Sequence, residues 1–510
     1  MTDEPEIRAQ EITSHDVAKG AGTTLLARLG AVIEVVAQPA YVWLFGLASF
    51  GIYTALWAAI TLTENIADQG MTAALQRTVP QAATERRAVA TLRAALVMGV
   101  VPCIALAALA SIFSDEVAHI FNAAQGDAER LSHFIALFAW ALPLWAFIEV
   151  ATSALRARRV FGAEIRLRLF WEQVVRLICA TGFWALGFGT RSLFYAHLVS
   201  LIVICGLCIR LLSRNYDLRL LSHSAAEQGV WRETWLAGIS IMPTNLTARL
   251  FSDAPTLLLN ALLPGAQGAI AGGQYALARK VSSLVQTIRI AFAYVLSPLA
   301  SAASTGGKAA VERIYGFSTR TSLAVALPVC TVLIAGGPML LRAIGRGMDD
   351  AMLALALLLT ARLAETVTGA AAPIQQVLSH YSSQFIGSAV GLAVSVLIGL
   401  AVLPAGGLTG MALAVALGLV ATSAIPVWQL YRHQGLLPFG PPFGQVARRA
   451  FMISLVGFTL ALGADQLPMA LALPLLCGVL LATLWSSGRW ALPLADREAL
   501  GSVARRLKLI

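Results

Sequence analysis

The chain has 510 residues, 58% of them apolar and 13% charged, and a net charge of +10; its mean hydropathy is +0.74. Soluble domains are about a quarter charged, so this composition excludes an ordinary globular enzyme and requires lipid as solvent. The basic residues fall between apolar runs rather than in a patch beside interleaved aromatics, which argues against a nucleic-acid partner and makes the charge a matter of topology.

The first segment, Met1 to Lys19, carries Asp3, Glu4, Glu6, Glu11 and Asp16. It lacks the basic start of a cleaved signal peptide, so the first apolar run is expected to stay in the mature protein. A spanning helix needs about 20 mostly apolar residues to cross roughly 30 Å of hydrocarbon. Runs of that kind lie near 20–43, 47–75, 90–114, 132–154, 167–188, 192–212, 234–262, 273–301, 319–341, 351–379, 382–403, 408–430, 450–466 and 468–487. The expected fold is an all-α polytopic membrane protein with about fourteen spans.

Arginines and lysines concentrate on the cytoplasmic side of bacterial membrane proteins. With the N-terminus inside, the inner segments hold Arg77, Arg86 and Arg87, the run from Arg156 to Arg168, then Arg210, Arg214, Arg219 and Arg232. Lys308, Arg313, Arg320, Arg432, Arg448 and Arg449 follow on that side, whereas the outer loops hold only Arg130, Arg191, Arg342 and Arg346. Both ends are therefore expected in the cytoplasm. The tail from Ala491 to Ile510 reads as a basic amphipathic helix resting on the membrane surface.

An internal repeat organises the spans. Leu25-Leu26-Ala27-Arg28-Leu29 in the first is echoed by Leu246-Thr247-Ala248-Arg249-Leu250 in the seventh. Tyr53 and Tyr275 follow at matching distances, each two residues after a glycine, Gly51 or Gly273, and Arg159-Val160-Phe161-Gly162 is loosely matched by Ser383-Gln384-Phe385-Ile386-Gly387. Repeated halves are a recurrent transporter design. The expected layout is a short inner segment (1–19), an N-lobe of six helices (20–212), a linker (213–233), a C-lobe of six (234–430), a loop (431–449), two terminal helices (450–487) and the tail (488–510).

Ionisable side chains inside such spans cost roughly 2.5–3.5 kcal/mol each and so mark pathways or partners. Arg28 and Arg249 occupy equivalent repeat positions, while Arg279, Lys280 and Arg289 bring three cations into the eighth span. Arg279 and Lys280 diverge by about 100° on a helix, so only one of them faces a given cavity. Glu64 and Asp68, four residues apart, share a face, and either neutralise Arg28 or Arg289 or bind a coupling proton or cation. Glu34 and Asp253 are candidates for pairing across the first and seventh helices. Glu172 with Arg176, and Arg362 with Glu365, have the spacing of structural pairs within one helix.

Cys205 and Cys208 form a C-x-x-C on an apolar span with no partner pair, which points to packing rather than metal. Gly306-Gly307-Lys308 is followed by Ala309 and lacks the upstream glycine of a nucleotide-binding loop. No ATPase or hydrolase motif is present, so no enzyme activity and no cofactor is expected, and transport would draw on protons, cations or the membrane potential.

The segment Phe50-Gly51-Ile52-Tyr53, with Ala67-Asp68-Gln69-Gly70-Met71 and Ala74-Leu75-Gln76-Arg77, resembles the opening of bacterial polysaccharide and lipid-linked oligosaccharide flippases of the multidrug/oligosaccharidyl-lipid/polysaccharide exporter superfamily. Asp253, Leu257-Leu258-Leu259 and Gly273-Gln274-Tyr275-Ala276-Leu277-Ala278-Arg279 are similar to the family's seventh and eighth helices. The peptidoglycan-precursor branch is a poorer match, since its first helix places an aspartate beside the arginine and here Arg28 is followed by Leu29, Gly30 and Ala31.

The resemblance implies two six-helix lobes plus two helices, and a cargo of polyprenyl-pyrophosphate-linked oligosaccharide moved across the bacterial inner membrane for surface polysaccharide synthesis. It also implies a polysaccharide polymerase and a chain-length regulator as partners, besides membrane lipids. Arg28, Arg249, Arg279, Lys280 and Arg289 are then the substrate-binding candidates, and Glu34, Glu64, Asp68 and Asp253 those for coupling or charge pairing. Two alternatives remain: a cation- or proton-coupled multidrug antiporter, whose cavity should be dominated by acids, and a non-transporting scaffold of a glycan-assembly complex.

Overall fold

The computed structural model describes residues 31–158, 160, 165–221, 229–304, 307–378 and 381–509. All regular structure in them is helical. The first half contains α1 (Ala31–Phe45), α2 (Leu47–Ala67), α3 (Met71–Thr78), α4 (Glu85–Ile112), α5 (Leu131–Phe138), α6 (Ala141–Ala157), α7 (Glu172–Ala185) and α8 (Arg191–Asn215). The second contains α9 (Val230–Ile239), α10 (Met242–Leu262), α11 (Gly265–Ser304), α12 (Lys308–Ala335), α13 (Met352–Thr368) and α14 (Tyr381–Gln434), followed by α15 (Pro441–Ala464) and α16 (Met469–Ser486).

Among the described residues, eight helical runs are long and apolar enough to cross a membrane, including Glu85–Ile112, Leu131–Ala157 and Arg191–Asn215. The other predicted spans also fall on helices, namely α1, α2, α7, α10 and α11. These are the helices that carry Glu34, Glu64, Arg176, Arg249 and Arg279. Two of them, α1 and α7, are short, with 15 and 14 described residues; in α2, α10 and α11 charged side chains lie among the apolar ones, where partners within the protein offset their cost.

Local chemistry sets the helix ends. Thr84 caps α4, its hydroxyl accepting from the Arg87 amide at 3.2 Å. The second predicted span, 47–75, is broken: Gly70 sits at φ +78° and starts α3, and Thr72 donates to Asp68 from its amide at 3.3 Å and from its hydroxyl at 3.4 Å. Helix α14 joins the eleventh and twelfth predicted spans, with Gly407 at φ +47° breaking the helical geometry between them.

In lipid, helices gain little from apolar burial against one another, so close approach of small residues does the packing. Helix α2 crosses α11 where Gly51 meets Ala269; a Cβ on Gly51 would lie 1.8 Å from the Ala269 carbonyl oxygen. Gly273 faces Gly51 in turn, its Cβ position 3.1 Å from the Gly51 Cα. The two glycines of the sequence repeat therefore touch across the join between the halves. A second such contact links α3 to α9, where a Cβ on Gly70 would lie 2.2 Å from the Gly238 carbonyl oxygen.

The expected amphipathic tail helix is instead two short helices, Leu494–Ala499 and Ser502–Arg506. They fold back on the second half because Arg320 of α12 grips Asp496 with two hydrogen bonds, at 2.6 and 2.7 Å. Leu509, 5% exposed, is buried with them.

Candidate functional site

Between the two glycine contacts lies a cavity of about 360 Å³. Glu64, Asn65 and Asp68 line it from α2, Glu149 from α6, and Asn245, Arg249 and Ser252 from α10. Glu149 organises it. Arg168, from the π-helical turn Ile165–Trp171, donates to both carboxylate oxygens at 2.9 and 2.8 Å, and its guanidinium lies 4.4 Å from the Trp145 ring centroid. Arg249 reaches across from the other half and donates to the same carboxylate at 3.2 Å. Asp253, one turn along α10, lies 3.9 Å from Arg249.

Glu64 and Asp68 contribute differently. Asp68 is 3% exposed, bonded through one oxygen to Thr72, while its Oδ1 has no hydrogen-bond partner among the described residues. Glu64 is 2% exposed and forms no ion pair among the described residues. Arg249 lines the same cavity with no carboxylate from α2 in contact.

A smaller cavity of about 70 Å³ adjoins Asp253 and Arg279. Arg279 donates to the Ser252 hydroxyl at 2.8 Å, Ser252 donates to Asp253 at 3.0 Å, and Thr61 of α2 donates to the other Asp253 oxygen at 3.1 Å. On its far wall Arg176, paired with Glu172 in its own helix, donates to the Tyr53 hydroxyl at 3.2 Å. That hydroxyl is 2.9 Å from His197 Nδ1. Charge-assisted contacts of this kind hold side chains in fixed directions where no water can.

The structure sorts the sequence candidates. Arg249, Arg279, Glu64, Asp68 and Asp253 converge on the two cavities. Arg289 does not: it pairs with Glu365 at 3.1 Å, and Glu365 also accepts from Arg362 at 2.6 Å. It neutralises neither Glu64 nor Asp68, because Gly369 packs against its side chain and holds it toward α13. Lys280 lines neither cavity, having diverged from Arg279 by one helical step. Arg28 lies outside the described residues, as does the side chain of Glu34, whose backbone belongs to α1. Asp253 pairs with Arg249 and Arg279.

Two central residues escaped the sequence reading. Arg168 reads there as a loop cation, and Glu149, the sole Asp, Glu, Lys or Arg between Leu131 and Leu155, has no partner at helical spacing to draw attention to it. A lone carboxylate in so apolar a run is itself the signal.

Two lobes meeting around a charged cavity, on a framework of long apolar helices, define a multi-pass membrane protein. Residues 43–345 match the sequence profile described as "Polysaccharide biosynthesis protein", more than half of the chain, and the chain belongs to that family. Among solved structures it is similar to "Lipid II flippase MurJ, inward closed conformation", with a TM-score of 0.69 over 90% of this chain and 97% of that one at 12% identity. It is also similar to an inward-facing multidrug resistance MATE family transporter of the MOP superfamily, with a TM-score of 0.62 over 84% and 96% at 15% identity. A mutant of the Vibrio cholerae MATE transporter VcmN gives 0.60 over 82% and 97%, also at 15% identity. At such identities the likeness is one of fold. No curated protein sequence matches the chain.

Proposed function

We propose that this protein is a flippase that carries a polyprenyl-pyrophosphate-linked oligosaccharide from the inner to the outer leaflet of the bacterial inner membrane for surface polysaccharide synthesis. The observation that carries the reading is Arg249. It extends from the second half to Glu149 of the first, 31% exposed in its side chain, and lines the larger cavity. A guanidinium held only by carboxylates can exchange them for a pyrophosphate, which it binds bidentately. Arg279 and, at the repeat position, Arg28 would extend that cationic lining. The family assignment supports a glycan cargo.

The layout proposed is the fourteen-span one, N-lobe 20–212, C-lobe 234–430 and terminal pair 450–487, with both ends cytoplasmic and the lobes rocking about the cavity. Glu64 and Asp68, carboxylates without a guanidinium in contact, are placed to take a coupling proton or cation. A polymerase and a chain-length regulator would receive the cargo outside.

Deletion of the gene should accumulate the lipid-linked saccharide in the inner leaflet and abolish a surface polysaccharide, with rescue by the wild type but not by Arg249→Gln. Unchanged surface glycan after deletion would sink the proposal. One observation favours a second reading, a cation-coupled multidrug antiporter: the larger cavity is lined by three acids, Glu64, Asp68 and Glu149, and one arginine. Raised sensitivity to cationic dyes, with normal glycans, would select it.

A further inference from the structure

A third cavity, of about 920 Å³, shares no lining residue with the other two and lies where the first half of α15, the turn after α16 and the folded-back tail come together. Among the described residues four arginines line it, Arg448 and Arg449 from α15, Arg489 from the turn after α16 and Arg497 from the tail, and no carboxylate does. Among the described residues none of the four forms an ion pair; of the two acids that flank Arg497, Asp496 is taken by Arg320, and Glu498 is exposed and does not line the cavity. What holds them is backbone: Arg489 donates to the Lys508 carbonyl at 3.2 Å, Arg497 to that of Leu509 at 2.8 Å, and Arg449 contacts that of Trp490 at 3.5 Å.

Such a concentration of like charge repels itself unless an anion joins it. The rest of the lining says which anion. Met452 and Trp490, 57% and 56% exposed, and Leu494, 53% exposed, present an apolar surface beside the arginines. Trp485 and Trp490 meet edge to face at 5.5 Å, and tryptophan is a residue enriched at the membrane–water boundary. A small soluble anion would use the guanidinium groups and leave this apolar wall in water. A phospholipid uses both, with its phosphate among the arginines and its chains along α15 and α16.

We propose that this cavity binds the head group of an anionic phospholipid in the cytoplasmic leaflet, fastening the tail to the terminal helix pair. Basic pockets between spans on that side are suited to such head groups. The inference rests on the cytoplasmic placement of these helix ends in the proposed topology and not on the identity of the cargo. Because Asp496 is bound to α12 and Arg497 lies at the cavity, lipid occupancy would be felt by the C-lobe through the tail.

The test uses the full chain, purified and placed in phosphatidylcholine nanodiscs with or without phosphatidylglycerol or cardiolipin, with retained lipid read by native mass spectrometry and unfolding by thermal melt. The wild type should retain one or more anionic lipids and melt several degrees higher in their presence. Arg448→Gln with Arg449→Gln, both exposed, should lower retention about ten-fold, the weight of one or two charge-assisted contacts. Arg448→Lys with Arg449→Lys should restore part of it. For the unaltered protein, retention should fall as salt rises from 0.1 M to 1 M. Equal retention by wild type and the glutamine variant would overturn the proposal. So would stabilisation by inorganic phosphate alone to the same extent, which would make the site one for a soluble anion. Displacement by a polyprenyl pyrophosphate at concentrations where phosphatidylglycerol fails would also overturn it, assigning the site to cargo. None of these readouts involves transport, so they stand apart from the outcome of the gene deletion.

Discussion

Glu149 and Glu365 stand in the fourth of the spans that the sequence predicts for their respective halves, and each holds two arginines. At Glu365 both partners, Arg289 and Arg362, belong to the same half, and the group is closed in by Gly369. At Glu149 one partner, Arg168, is local and the other, Arg249, comes from across the join, at the edge of a cavity. The same chemical unit serves as an internal brace in one half and as a breakable link between halves in the other. The folded topology around a charge decides which, since composition and helix position are alike.

The largest stability effect is expected where the unit is closed. Glu365→Gln leaves Arg289 and Arg362 facing each other unpaired, and breaking a buried pair costs about 3–5 kcal/mol; a thermal melt in detergent should show the loss, and an unchanged melt would erase the contrast. Arg249→Gln should do the reverse, lowering flipping of a lipid-linked saccharide in proteoliposomes roughly ten- to hundred-fold, the worth of a charge-assisted contact, while shifting the melt little. Glu149→Gln should fall between, with some loss of stability because Arg168 is stranded, and its effect on transport should be less than additive with that of Arg249→Gln, as for residues sharing one contact. The smallest change is expected for Arg289→Gln: transport per folded molecule should stay within about two-fold, since breaking only this pair leaves Glu365 its bond to Arg362. A specific transport defect there would return Arg289 to the cavity that sequence reading assigned it.

The all-helical membrane architecture was legible because spanning length and loop charge are one-dimensional properties. The repeat was legible too, and the touching of Gly51 and Gly273 gives it a physical reason. The pairs Glu172–Arg176 and Arg362–Glu365 could be read from helical spacing. What spacing could not supply is a partner from another helix. Arg289 and Asp253 each found theirs across a helix–helix contact, and Glu149 acquired its second arginine from a residue 100 positions away. The break after Asp68 was hidden because Gly70 lies in a run that hydropathy reads as continuous.

The glycine contacts at Gly51–Ala269 and Gly70–Gly238 bound the cavity with backbone laid against backbone, joined at the second by a hydrogen bond from Trp235 to Gln69 at 2.9 Å. Latches built of interlocking side chains must change rotamer before they part and must find the same rotamers again to close. Backbone meeting backbone at a glycine has no rotamer to change, so little beyond the Trp235–Gln69 bond has to be remade on closing. For the proposed rocking of the lobes this makes each closure nearly as easy to undo as to form. Direction of transport would then be set by what occupies the cavity, and not by the strength of the doors.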